Sequence, residues 1–183
     1  MNLVDSFLIW WLKSGRYPWS RFVRRMSVWQ SSKMPIPTAK SLDEVVSLLK
    51  QVTWTMDSPF HLYDSISLPE TVWDKKRDDC DGFAVLAATL LKSWNPSTNP
   101  KLVTVMLRPV RESHTVCAFR EGEHFRFFDN DYLNRGNYQS YEEIVEQVLK
   151  RGERVVCWDV ADHESLRTLE FHRITQAHPP QQG

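Results

Sequence analysis

Across residues 79–129 the hydrophobic period of this chain switches from about 3.6 to about 2, and few architectures accommodate that switch. Phe83, Ala84, Leu86, Ala87, Leu90 and Leu91 form a broad apolar stripe at helical spacing. The stripe predicts a buried central helix that opens at Asp79 and stops before Asn95–Pro96. Immediately afterwards Leu102, Thr104 and Met106 alternate with Val103, Val105 and Leu107, the repeat of a strand over Lys101–Arg108. His114–Arg120 and His124–Asp129 predict a hairpin across Glu121–Gly122, and Arg154–Val160 a further strand. Ser41 with Glu44, and Ser140 with Glu143, have the spacing of capping boxes and predict two more helices, the second ending at Gly152. Helices followed by a meander of strands, with one late helix, imply an α+β fold on a mostly antiparallel sheet rather than a parallel βαβ fold.

The length of 183 residues suits one domain. Ser, Pro and Thr cluster over Ser31–Ala39. This divides a helical N-terminal appendage, residues 1–35, from a catalytic domain, residues 36–175, with residues 176–183 as a flexible tail. Leu3–Leu12 is apolar, with Trp10 and Trp11, but is too short to span a bilayer and is interrupted by Asp5. Arg16, Arg21, Arg24 and Arg25 follow it. A helix docked on its own domain is expected ahead of contact between residues 1–25 and a membrane surface. Thr53–Asp74 reads as a long loop with short helical turns.

Formal net charge is zero, so bulk electrostatics give nucleic-acid binding no support. No phosphate-binding glycine loop and no HExxH motif occur. The three cysteines, Cys80, Cys117 and Cys157, are odd in number and widely spaced, as in a cytoplasmic protein with reduced thiols rather than a disulfide framework.

Cys80 stands apart from the other two. It occupies the first turn of the predicted central helix, in Arg77-Asp78-Asp79-Cys80-Asp81-Gly82-Phe83-Ala84. Partial positive charge and unpaired N–H groups at a helix N-terminus favour a thiolate and can hold an oxyanion. His114 opens one predicted strand and Asp129 closes the next, so a hairpin carries both to the edge far from its turn. Cys80 as nucleophile, His114 as base and Asp129 as the group orienting the imidazole make a catalytic set. Each residue alone has a plainer role, as a small core hydrophobe, a strand-end histidine or a turn former.

The segments Asp79-Cys80-Asp81-Gly82-Phe83-Ala84, His114-Thr115-Val116 and Phe128-Asp129 resemble the motifs of the transglutaminase-like cysteine protease superfamily, in the order that family uses. Asp64–Glu70 resembles the lead-in of its bacterial members, and the likeness spans about Ser41 to Val160. It implies a papain/transglutaminase-like fold and an enzyme acting on amide bonds of a protein or peptide through an acyl-thioester. Peptidase activity is expected first, then transglutaminase or glutamine deamidase activity with the same triad. A catalytically inactive binding module on the same scaffold is the other alternative. Asp78 stands where many relatives have Gly. Oxyanion donors are sought among the Cys80 and Asp81 backbone amides and the side chains of Trp54 and Gln51. No cofactor is expected. Calcium, which some relatives bind, would fall to Asp57, Asp64, Asp79 and Asp81, but no EF-hand spacing is present and capping or solvated roles are preferred.

Overall fold

The computed structural model describes residues 2–27, 34–56 and 65–174. Six strands form one antiparallel sheet: β3 (Lys101–Arg108), β4 (His114–Glu121), β5 (His124–Asp129), β6 (Tyr132–Tyr138), β7 (Arg154–Asp162) and β8 (Thr168–Arg173). Their order across the sheet is β6-β5-β4-β3-β7-β8. A separate parallel pair joins β1 (Thr53–Trp54) to β2 (Arg77–Asp78). Helices α1 (Leu3–Trp10), α2 (Arg16–Ser27), α3 (Leu42–Leu49), α4 (Pro69–Lys75) and α5 (Cys80–Trp94) precede the sheet, and α6 (Tyr141–Leu149) lies between β6 and β7. The architecture is mixed helix and antiparallel sheet, as the change of period implies.

Alternation in β3 divides the core in two. Leu102 and Met106 face a cluster that includes Leu86, Leu90 and Leu91 of α5 and Val45 and Leu49 of α3. Val103, Val105 and Leu107 face the opposite cluster, with Ile144, Val145 and Val148 of α6. The sheet is therefore covered on both faces, and α5 is buried along almost its whole length. Leu8, Leu12 and Tyr17 of the N-terminal helices belong to the same cluster as α5. Asp5, which interrupts the apolar N-terminal stretch in sequence, is buried between Arg108 and Arg154, at 3.0 and 2.7 Å.

Both capped helices form as expected. Ser41 and Ser140 accept the amides of Glu44 and Glu143 at 3.1 and 3.3 Å. In each, the glutamate reaches one residue further back than in the usual box, to the amide of Lys40 or Gln139. Between Thr53 and Asp74, where a loop with short turns is expected, α4 forms a full helix headed by Pro69. Residues 57–64 of this stretch, with Asp57 and Asp64, lie outside the described residues, as do 28–33 and the tail from 175. Strands β6 and β8 have no counterpart in the sequence reading. They are the two sheet edges, and their residues are exposed or half-buried, with Leu133 alone buried. An edge strand is held by backbone pairing on one side, so it needs little apolar alternation and leaves little in the sequence. No helix among the described residues is long and apolar enough to cross a membrane.

Candidate active site

Helix α5 begins at Cys80 because Asp79 caps it. Asp79 has an extended backbone and its carboxylate accepts the Asp81 amide at 3.1 Å. Strand β2 leads into this turn, and Gly82 lets it close: a Cβ there would lie 2.6 Å from Cβ of Asp78. Asp78 in turn accepts the Asp79 amide at 2.9 Å.

Strand β4 brings its first residues against the start of α5. Thr115 gives Cys80 a backbone hydrogen bond, and the neighbouring His114 is buried. The β4–β5 hairpin has Glu121 opposite His124 and Cys117 opposite Phe128, with Gly122 left-handed at φ 64° in the turn. Asp129, the next residue of β5, bonds His114 Nε2 through Oδ1 at 2.8 Å. That bond uses Nε2 and leaves the other ring nitrogen, Nδ1, outside the Asp129 pair. Arg151, just after α6, pairs with the other Asp129 oxygen, and Asn130 Nδ2 donates to Oδ1 at 3.4 Å. Burial pushes the Asp129 carboxyl up, but His114 and Arg151 outweigh it and hold it down to about 2.

Cys80 and His114 line a common cleft of about 270 Å³, with Trp54, Met56, Arg111 and Arg151 at its wall. Both also line a smaller cavity of about 30 Å³ that reaches inward to Arg16 and Thr104. Cys80 and His114 thus share a cleft, and Asp129 is joined to it through His114. Of the four oxyanion candidates, Trp54 is on the cleft wall, on β1 paired with Asp78. The Asp81 amide is committed to the Asp79 carboxylate, and Gln51 is exposed and does not line the cleft.

The thiol is not poised as a thiolate in the way a helix N-terminus alone predicts. Burial pushes the Cys80 thiol up, and the carboxylates of Asp79 and Asp81 push it further; the Thr115 bond and Arg16 act in the opposite direction. Cys117 and Cys157 are fully buried core thiols, and the Cys157 thiol is pushed up to about 12 by burial and nearby carboxylates. Asp79 itself is pushed up by burial and by the neighbouring Asp81.

Asp78, Asp79 and Asp81 place one oxygen each within 4.8 Å of one another. Two features compete with a metal ion there: Asp81 is bound by Arg16, and burial with Asp81 pushes the Asp79 carboxyl up. The cation at this cluster is Arg16. Its guanidinium is buried, pairs with Asp81, and donates to Thr104 Oγ1 at 3.0 Å and Thr115 Oγ1 at 3.3 Å. The adjacent Tyr17 donates to buried Asp159 at 2.9 Å. Burial raises Asp159, and the pull of Tyr17 and Arg16 leaves it at about 7. Arg16, Arg151 and Thr115 are the site residues that sequence reasoning missed. Arg16 is visible in sequence as one of four arginines after the apolar stretch, and only the fold distinguishes it from the other three. The sequence matches no protein-family model and no curated protein.

Proposed function

We propose that the chain is a cysteine-nucleophile enzyme of papain/transglutaminase-like fold that cleaves amide bonds of proteins or peptides through an acyl-thioester. The observation that carries this reading is the 2.8 Å bond between His114 and Asp129 on a cleft that His114 shares with a cysteine at a helix N-terminus. Such an arrangement recurs where a nucleophile needs a base whose tautomer is fixed.

In the resting site the thiol keeps its proton. His114 removes it as sulphur attacks the carbonyl, and Asp129 steadies the imidazolium. The Cys80 amide, at the head of α5, is assigned as the backbone donor for the developing oxyanion. His114 then delivers the proton to the departing amine, which leaves a thioester on Cys80. Water activated by His114 releases the acid in a peptidase or a deamidase, whereas an acceptor amine would make the same site a transglutaminase.

One observation favours a second reading, an inactive binding module: burial and two carboxylates oppose thiolate formation at Cys80. Incubating wild type and Cys80→Ala with a peptide library separates the two. New peptide termini, glutamine-to-glutamate conversion or amine incorporation with wild type alone supports the enzyme and identifies the acceptor. The same products from Cys80→Ala, or none from wild type, would sink the mechanism.

A further inference from the structure

We propose that the outer face of the N-terminal helices docks the protein on an anionic phospholipid surface. One side of these helices is fixed in the core by Leu8, Leu12 and Tyr17. Large apolar groups of these helices are exposed: Trp10 is 56% exposed, Trp19 46%, Phe22 57% and Met26 64%. Trp19, Phe22 and Met26 follow the i, i+3, i+7 spacing of a single helix face, and the rings of Trp19 and Phe22 stack at 5.9 Å. They form a continuous ridge, with Leu3 exposed at the far end of the same helical segment.

Beside the ridge runs a groove of about 530 Å³ to which Phe22, Arg21, Arg24 and Arg25 contribute. Two of its arginines bond backbone carbonyls. Arg21 donates to the Leu166 carbonyl at 2.7 Å, and Arg24 to the carbonyls of Ile66 and Ser67 at 3.0 and 2.6 Å. Burial draws Arg24 down to about 10, against the pull of Asp81 and Glu70. The acidic side chain lining the groove, Glu164, is paired with Lys92 at 2.7 Å. Asp5, the acidic residue of the segment 2–27, is already held by two arginines. Among the described residues no carboxylate forms an ion pair with Arg21, Arg24 or Arg25, so positive charge lies directly next to an aromatic ridge.

A bilayer interface supplies both complements at once: acyl depth for Trp, Phe and Met, and phosphate for the guanidiniums. The ridge and the basic groove extend along a helix side, as suits a planar surface. Docking leaves α1 and α2 folded on the domain, with the segment lying on the membrane and not spanning it.

The test is co-sedimentation of the full-length protein with vesicles of phosphatidylcholine alone and with about 30 mol % phosphatidylglycerol, in low and high salt. Wild type is expected to sediment with the anionic vesicles and to be released by salt. Arg21→Gln with Arg25→Gln should weaken binding on the order of twentyfold, about fivefold for each charge. Trp19→Ser with Phe22→Ser should weaken it by about tenfold or more, with near-UV circular dichroism confirming that the fold persists. Absence of wild-type sedimentation with anionic vesicles, equal sedimentation with neutral ones, or a ridge variant that binds as wild type would each overturn the proposal. None of these outcomes depends on chemistry at Cys80.

Discussion

Replacing Arg16 with Met tests whether the N-terminal segment completes the site. The guanidinium is buried, pairs with Asp81 and bonds two threonines, one of them beside His114. Removing it has two effects. Asp81 is left as a buried carboxylate without its cation, which costs about 3–5 kcal/mol of stability. Cys80 loses the positive charge that favours its thiolate while keeping the Asp81 charge that opposes it. Loss of a close opposite charge raises a thiol by about one to three pH units. Each such unit cuts the thiolate fraction tenfold, and the more basic thiolate recovers roughly threefold in nucleophilicity. The net expectation is that alkylation of Cys80 by iodoacetamide slows by about three- to thirtyfold near neutral pH. Site-resolved mass spectrometry on folded protein measures it. Arg16→Lys retains the charge without the planar fork and should fall in between. Asp81→Asn should accelerate alkylation, and in a double-mutant cycle the two sites should couple. An Arg16→Met protein that is folded and alkylated at the wild-type rate would refute the electrostatic role.

Other predictions follow from the same geometry. Asp129 is held at about 2 against an ordinary 3.8, so its folded pKa is depressed; the stability it contributes is present above 3.8 and lost as pH falls toward 2. Its size is about 2 kcal/mol, and urea midpoints of wild type and Asp129→Asn should converge across that range; a constant difference would contradict the pairing. Gly82→Ala should destabilise by about 1–3 kcal/mol although Ala is the better helix former, because its Cβ meets Asp78; a stabilised variant would show that the turn is looser than described. With any substrate found, Trp54→Phe, which removes the indole N–H but keeps a ring, should reduce turnover if Trp54 assists the oxyanion. Gln51→Ala should leave turnover unchanged, and a large loss there would relocate the second donor.

What the sequence disclosed and what it concealed have physical reasons. Helix α5 and strand β3 were legible because their burial is nearly complete, which imposes an unbroken period on Phe83–Leu91 and Leu102–Leu107. The hairpin that carries His114 and Asp129 was legible from its turn, where Gly122 supplies the positive φ. Edge strands β6 and β8 were hidden because, among the described residues, one side of each backbone is unpaired and hardly any of their side chains is buried. Arg16 was hidden for another reason. A buried arginine and its exposed neighbours are identical in sequence, and its partners Asp81, Thr104 and Thr115 come from three distant elements. The electrostatics of Cys80 were only half legible: the helix N-terminus could be read, but not the balance between burial and the flanking carboxylates.

The central claim is that His114 serves Cys80 as a base. It is tested most directly by the rate at which iodoacetamide alkylates each cysteine in wild type and in His114→Ala across neutral pH. In wild type Cys80 should react ahead of Cys117 and Cys157, whose side chains are fully buried. In His114→Ala the Cys80 rate should fall toward that of an unassisted thiol, with the other two cysteines unchanged. Equal Cys80 rates in the two proteins, at every pH, would contradict the account.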